Sequence, residues 1–159
     1  MTVSIILPTY NRSRFLNEAI KSVLNQTYED YELIIIDDGS NDNTRELVKE
    51  YKDSRIVYFY QNNQGRVYAR NVGIRIAKHK IIAFIDSDDA WYENKLKLQM
   101  KIIKNKNLDW CFSAVDEIYG NKMKARGGAI TSSFFKDVIL GRVSVPMSTI
   151  VIKKKFLLK

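Results

Sequence analysis

Residues 3–40 read VSIILPTYNRSRFLNEAIKSVLNQTYEDYELIIIDDGS. Val3 to Leu7 form a short, β-branched apolar run that PTYNRS then breaks. Phe15, Leu16, Ala19, Ile20, Val23 and Leu24 recur at helical spacing, and a second apolar run follows from Tyr31 to Ile36. The order is strand, helix, strand. Both strands are apolar on two faces, as strands are when helices cover a parallel sheet on both sides.

The same unit repeats outward from this stretch. After the turn DDGSND, Asn43 and Glu46 have the spacing of a capping box ahead of Leu47, Val48 and Tyr51. RIVYFY (55–60) predicts a third strand, and Gly65 then opens a helix with Ala69, Val72, Gly73, Ile76 and Ala77 on one face. KIIAFI (80–85) predicts a fourth strand and a lysine-rich helix runs from about Glu93 to Lys104. Beyond Asn107, residues 109–120 predict a strand, 121–130 a loop or hairpin, 132–142 a helix and 146–154 a last strand. The expected fold is α/β, with a mostly parallel central sheet and helices on both faces.

Composition narrows the function. A chain of 159 residues, 45% hydrophobic, buries one sizeable core, so residues 1–159 are read as a single domain. The net charge of +8 is spread along the chain, with no basic stripe interleaved with aromatics, so no nucleic-acid partner is expected. Cys111 is the sole cysteine, which excludes an intrachain disulfide and a thiolate cluster and suits a reducing compartment. No apolar stretch approaches the ~20 residues of a membrane span, and MTVSIILPTYNR lacks the basic-then-apolar order of a leader. A cytoplasmic chain is expected, possible peripheral contact with the inner membrane face falling to the basic helix ENKLKLQMKIIKNKN (93–107).

Right-handed crossovers bring the carboxyl ends of parallel strands to one edge, where open α/β sheets bind ligands. PTYN (8–11), DDGS (37–40) and DSDD (86–89) each follow such an end, so the three clusters converge there. Three carboxylates within DSDD, beside a second pair, repel one another unless something positive stands between them. A divalent cation fits: Mg2+ or Mn2+ takes one or two carboxylates and completes its shell with water and substrate phosphates. Other α/β chemistries lack their residues. The first turn has no glycine for a dinucleotide fingerprint, there is no P-loop motif, and the one histidine, His79, lies in a basic stretch.

PTYN, DDGS, NQGRVYARNVGI (63–74) and DSDD, in this order, resemble the motifs of the family 2 inverting glycosyltransferases, which have the nucleotide-diphospho-sugar transferase (GT-A) fold. The resemblance implies that Pro8, Thr9, Tyr10 and Asn11 line a nucleoside pocket, Tyr10 offering its ring to the base. It places Asp38 to accept the imide N–H of uracil with Asp37 as helper, although either suits an ordinary turn acid. Gly65 admits the chain to the third helix, whose Arg70 approaches the diphosphate, and Asp86 and Ser87 complete the donor set. Asp88 is the expected direct ligand of Mn2+ or Mg2+, Asp86 holds the ribose or a metal-bound water, and Asp89 is a supporting or alternate ligand. Trp91 is expected to pack beneath this loop.

A UDP-sugar donor, a saccharide or lipid-linked acceptor and a single inverting displacement are implied with the family. The family's general base lies in an acidic motif that would fall after residue 159, and Asp116 and Glu117 do not match its position. The residues are therefore expected to form the donor-binding part of the domain. The alternative is a nucleotide-sugar-binding fragment or pseudoenzyme without transfer.

Overall fold

The computed structural model describes residues 1–119, 122–126 and 144–158, so the helix expected over 132–142 lies outside the described residues. Four strand–helix units come first: β1 (Val3–Thr9), α1 (Ser13–Leu24), β2 (Tyr31–Asp37), α2 (Thr44–Glu50), β3 (Ile56–Tyr60), α3 (Arg66–Ile76), β4 (Ile81–Phe84) and α4 (Lys95–Asn105). Short strands follow: β5 (Trp110–Phe112), β6 (Val115–Tyr119), β7 (Lys122–Arg126) and β8 (Ile150–Lys153).

The main sheet runs β3-β2-β1-β4-β8-β5. Its first four strands are mutually parallel, whereas β8 lies antiparallel between β4 and β5. The mostly parallel sheet expected from sequence is present, with one reversed strand inserted near its edge.

Successive side chains of a strand point to opposite faces, and here both faces are covered. Val3, Ile5 and Leu7 pack with Leu16, Ala19, Ile20 and Val23 of α1, Val48 of α2, and Leu96, Met100 and Ile103 of α4. Ile6, Ile34 and Ile36 face the other way onto Ala69, Val72 and Ile74 of α3. Helix α3 approaches closely because Gly73 has no side chain: a Cβ there would lie 2.5 Å from Ile6 Cγ2. Ile76, expected on this buried face, is exposed, and Ile74 takes its place.

Three further expectations change. Strand β1 continues through Pro8 and Thr9 instead of ending at Leu7. Ile6 C=O accepts Ile85 N–H on the β4 side, and Pro8, two residues on, has no N–H to continue that ladder, so pairing with β4 ends while pairing with β2 runs on to Thr9. Asn43 makes no side-chain cap at α2; Asp42, one residue earlier, does so instead. The single strand read over 109–120 is broken at Ser113 and Ala114, after which β6 pairs with β7 as a separate hairpin.

Candidate active site

The loops after β1, β2 and β4 meet at the carboxyl edge, joined by residues 61–65 that lead from β3 into α3. The first two loops are stitched together. Asn11, in the left-handed region at φ 50°, donates its N–H to Ser40 Oγ at 2.9 Å and accepts Asn41 N–H at 2.9 Å. Asp42 receives the N–H of Ser13 and of Thr44, both at 3.0 Å, and so caps α1 and α2 at once. Partial burial opposes its charge, but these hydrogen bonds prevail and hold its carboxyl down to about 2. Above this seam Tyr10 is exposed, as a ring awaiting a base requires and a core tyrosine does not.

The acids of DDGS are committed to the protein. Asp37 is fully buried; its Oδ1 accepts Ser40 N–H at 2.8 Å and its Oδ2 accepts the Tyr58 hydroxyl at 2.5 Å. Burial, reinforced by this carboxylate, pushes the Tyr58 hydroxyl up. Asp38, 2% exposed, takes Gln61 Nε2 at 2.6 Å and Gln64 N–H at 3.0 Å on Oδ1, and Gly65 N–H at 2.8 Å on Oδ2. It shapes the entrance to α3, where Gly65 sits at φ 88°. Asp37 thus behaves as the turn acid left open by the sequence, and Asp38 keeps a lone pair on Oδ2.

The acids of DSDD face cations instead. Asp86 pairs with Arg70 of α3, whose buried Nε has no hydrogen-bond partner among the described residues. Asp88 Oδ2 lies 3.8 Å from Arg12 Nη1, both side chains being 49% exposed. Asp89 turns toward Ser148 and accepts its hydroxyl, while partial desolvation, with Asp86 and Asp88 adding to it, pushes its carboxyl up. Ser87 is buried within the loop. Trp91, 7% exposed, lies beneath as expected, its indole N–H on Ser148 C=O at 2.9 Å and Lys95 Nζ 4.0 Å above its ring. Burial pulls the Lys95 ammonium down to about 7. Farther along, Tyr92 OH donates to Asp116 at 2.8 Å, so Asp116 lies beside the acidic loop, in β6.

Among the described residues no three acidic, histidine or cysteine side chains form a ready metal cage. Mg2+ or Mn2+ bound largely by phosphate and water needs only one or two carboxylates. Asp86 and Asp88 offer such hard oxygens, and the guanidinium groups now beside them mark where positive charge is favoured. The donor set fits the cation.

Several contributors were not singled out in the sequence. Arg12 adjoins PTYN and was legible as a neighbouring cation. Asp42, Gln61 and Ser148 carried no distinguishing signal, because their roles arise from contacts distant in sequence.

A doubly covered, mostly parallel sheet with acidic and aromatic loops at one carboxyl edge defines a GT-A-type nucleotide-sugar transferase fold. The model of glycosyl transferase family 2 matches residues 4–145, and the chain belongs to that family. The chain is 40% identical over 122 residues to the Escherichia coli UDP-Glc:alpha-D-GlcNAc-diphosphoundecaprenol beta-1,3-glucosyltransferase WfgD, covering 76% of this chain and 48% of that one. It resembles S. aureus TarS 1-349 in complex with UDP-GlcNAc at TM-score 0.80 and 25% identity, over 99% of this chain and 46% of that one. The mannosyltransferase PcManGT of Pyrobaculum calidifontis, in complex with GDP-Man and Mn2+, shares the fold at TM-score 0.73 and 20% identity, over 98% and 45% of the two chains. The chain thus spans under half the length of each of these proteins.

Proposed function

We propose that residues 1–159 are the donor-binding part of a single GT-A domain of an inverting glycosyltransferase that takes a UDP-sugar with Mn2+ or Mg2+. The observation that carries this reading is the division at the carboxyl edge: exposed Tyr10 over a hydrogen-bonded floor, beside Asp86 and Asp88, which face Arg70 and Arg12. The uridine donor is supported by TarS with UDP-GlcNAc and by the UDP-Glc in the name of WfgD, and the metal by PcManGT with Mn2+.

Pro8 and Thr9 supply the pocket wall, Tyr10 stacks on the base, and the free lone pair of Asp38 receives the imide N–H. The orphaned Nε of Arg70 gains a partner when a phosphate oxygen arrives. Asp88 and Asp86 hold the cation, with Asp89 kept behind them. Bound there, Mn2+ or Mg2+ supplies Lewis acidity to the departing diphosphate, an effect of several kcal/mol. The acceptor is a saccharide or lipid-linked hydroxyl, and its deprotonation belongs to a carboxylate outside the donor set. A cytoplasmic chain fits this donor; lysines of α4 would meet an anionic membrane surface. Among the described residues no helix is long and apolar enough to cross a membrane.

Calorimetry with UDP, GDP, CMP and UDP-sugars, each with and without Mn2+, tests the reading. UDP and UDP-sugar binding strengthened by Mn2+ is expected, with GDP and CMP weaker. Absence of binding by any nucleotide overturns it; binding that still gives no sugar transfer when the natural downstream segment is appended supports the alternative of a binding fragment or pseudoenzyme.

A further inference from the structure

We propose that Ser148 is the positioning residue that orients the acidic loop after β4 toward its cation, a role that rests on the donor-site reading above. Ser148 lies in a 3-10 turn, Met147–Thr149, directly before β8, and is 7% exposed. Its hydroxyl works in both directions, accepting Asp86 N–H at 2.9 Å and donating to the Asp89 carboxylate. Its carbonyl accepts the indole N–H of Trp91 at 2.9 Å. One side chain and one carbonyl thus hold the loop at its first acid, its last acid and its aromatic anchor.

The hydroxyl has a single proton, so it can serve both partners only in a rotamer that points that proton at Asp89. This ties the Asp89 carboxylate to Ser148 and leaves Asp86 and Asp88 toward Arg70 and Arg12. The hydrogen bond from Asp89 N–H to Asp86 C=O, at 3.1 Å, closes the turn but does not orient it relative to the sheet. The Ser148 turn is itself fixed: Gln99 Nε2 donates to Thr149 C=O at 2.8 Å, and Thr149 Oγ1 donates to Pro146 C=O at 2.7 Å. A rigid support of this kind tunes a metal site through groups that never touch the metal.

The test measures Mn2+ affinity at saturating UDP, and UDP affinity without metal, by calorimetry on the unaltered chain, Ser148→Ala, Ser148→Thr and Thr149→Val. Ser148→Ala should weaken Mn2+ binding about tenfold or more while metal-free UDP binding stays within about twofold. Ser148→Thr, which keeps the hydroxyl, should recover most of the loss. Thr149→Val removes one support of the turn that does not touch the loop, and should lower Tm while weakening Mn2+ binding far less than Ser148→Ala. Should Ser148→Ala not fold, Ser148→Cys, with its weak donor and acceptor, replaces it with the same expected selectivity. Unchanged Mn2+ affinity in the Ser148 variant, parallel loss of metal and nucleotide binding, or an equal loss in Thr149→Val overturns the proposal. Absence of Mn2+–UDP binding by the unaltered chain instead overturns the donor-site reading beneath it.

Discussion

DDGS and DSDD are nearly the same in composition, follow parallel strands on either side of β1 and end at the same edge, yet their carboxylates have opposite fates. Asp37 and Asp38 are 0% and 2% exposed and are held by N–H and O–H donors of the protein. The side chains of Asp86 and Asp88 are 32% and 49% exposed and face the guanidinium groups of Arg70 and Arg12. The difference teaches that residue type marks a candidate site, whereas burial and partner type divide it into a scaffold and a contact surface. One acidic cluster builds the pocket and keeps a single lone pair, on Asp38, for the base; the other is left for the diphosphate and its cation.

Stability measurements sharpen this contrast. The largest effect is expected for Asp37→Ala, which strands the half-buried Tyr58 hydroxyl and Ser40 N–H and should cost about 2–3 kcal/mol in denaturant unfolding. A cost near zero would mean that DDGS is as free as DSDD. Next comes Gly39→Ala: at φ 86°, with a Cβ 2.8 Å from Asn63 N, it should lose about 1–2 kcal/mol in the same assay.

Acid should loosen the seam between the first two loops by a smaller amount. Asp42 titrates at about 2 in the folded chain, below the ordinary 3.8. Its contribution is therefore complete above the ordinary value and is lost as pH falls toward 2. Thermal melts from pH 5 to pH 2 should show Asp42→Ala losing less stability than the unaltered chain, the gap at pH 5 being about 1 kcal/mol as for other caps. The smallest effect is expected for Asp88→Asn, whose half-exposed pairing with Arg12 at 3.8 Å is worth less than about 0.5 kcal/mol.

Much of this was legible in the sequence, for physical reasons that differ along the chain. Strands β1, β2 and β4 are nearly continuous apolar runs because both faces are buried, and Leu16, Ala19, Ile20 and Val23 mark one helix face without ambiguity. Sheet direction then brought the polar clusters to one edge. Strand β8 was legible as a strand but not as the reversed neighbour of β4, since nothing local to IVIK states which edge it joins. Pro8 signals a break in isolation, yet it ends only the pairing with β4, while pairing with β2 continues through Thr9. Ser148 could not be found at all, because its meaning depends on Asp86 and Asp89, about sixty residues away. The split between the two acidic clusters was hidden for the same reason.

Calorimetric titration of Mn2+ and UDP into Asp88→Asn and the unaltered chain, each with its Tm, tests that split most directly. The expected result is an unchanged Tm with Mn2+-dependent UDP binding lost. An Asp88→Asn chain that binds Mn2+ and UDP as tightly as the unaltered one would contradict it, and DSDD would then be a surface acid cluster.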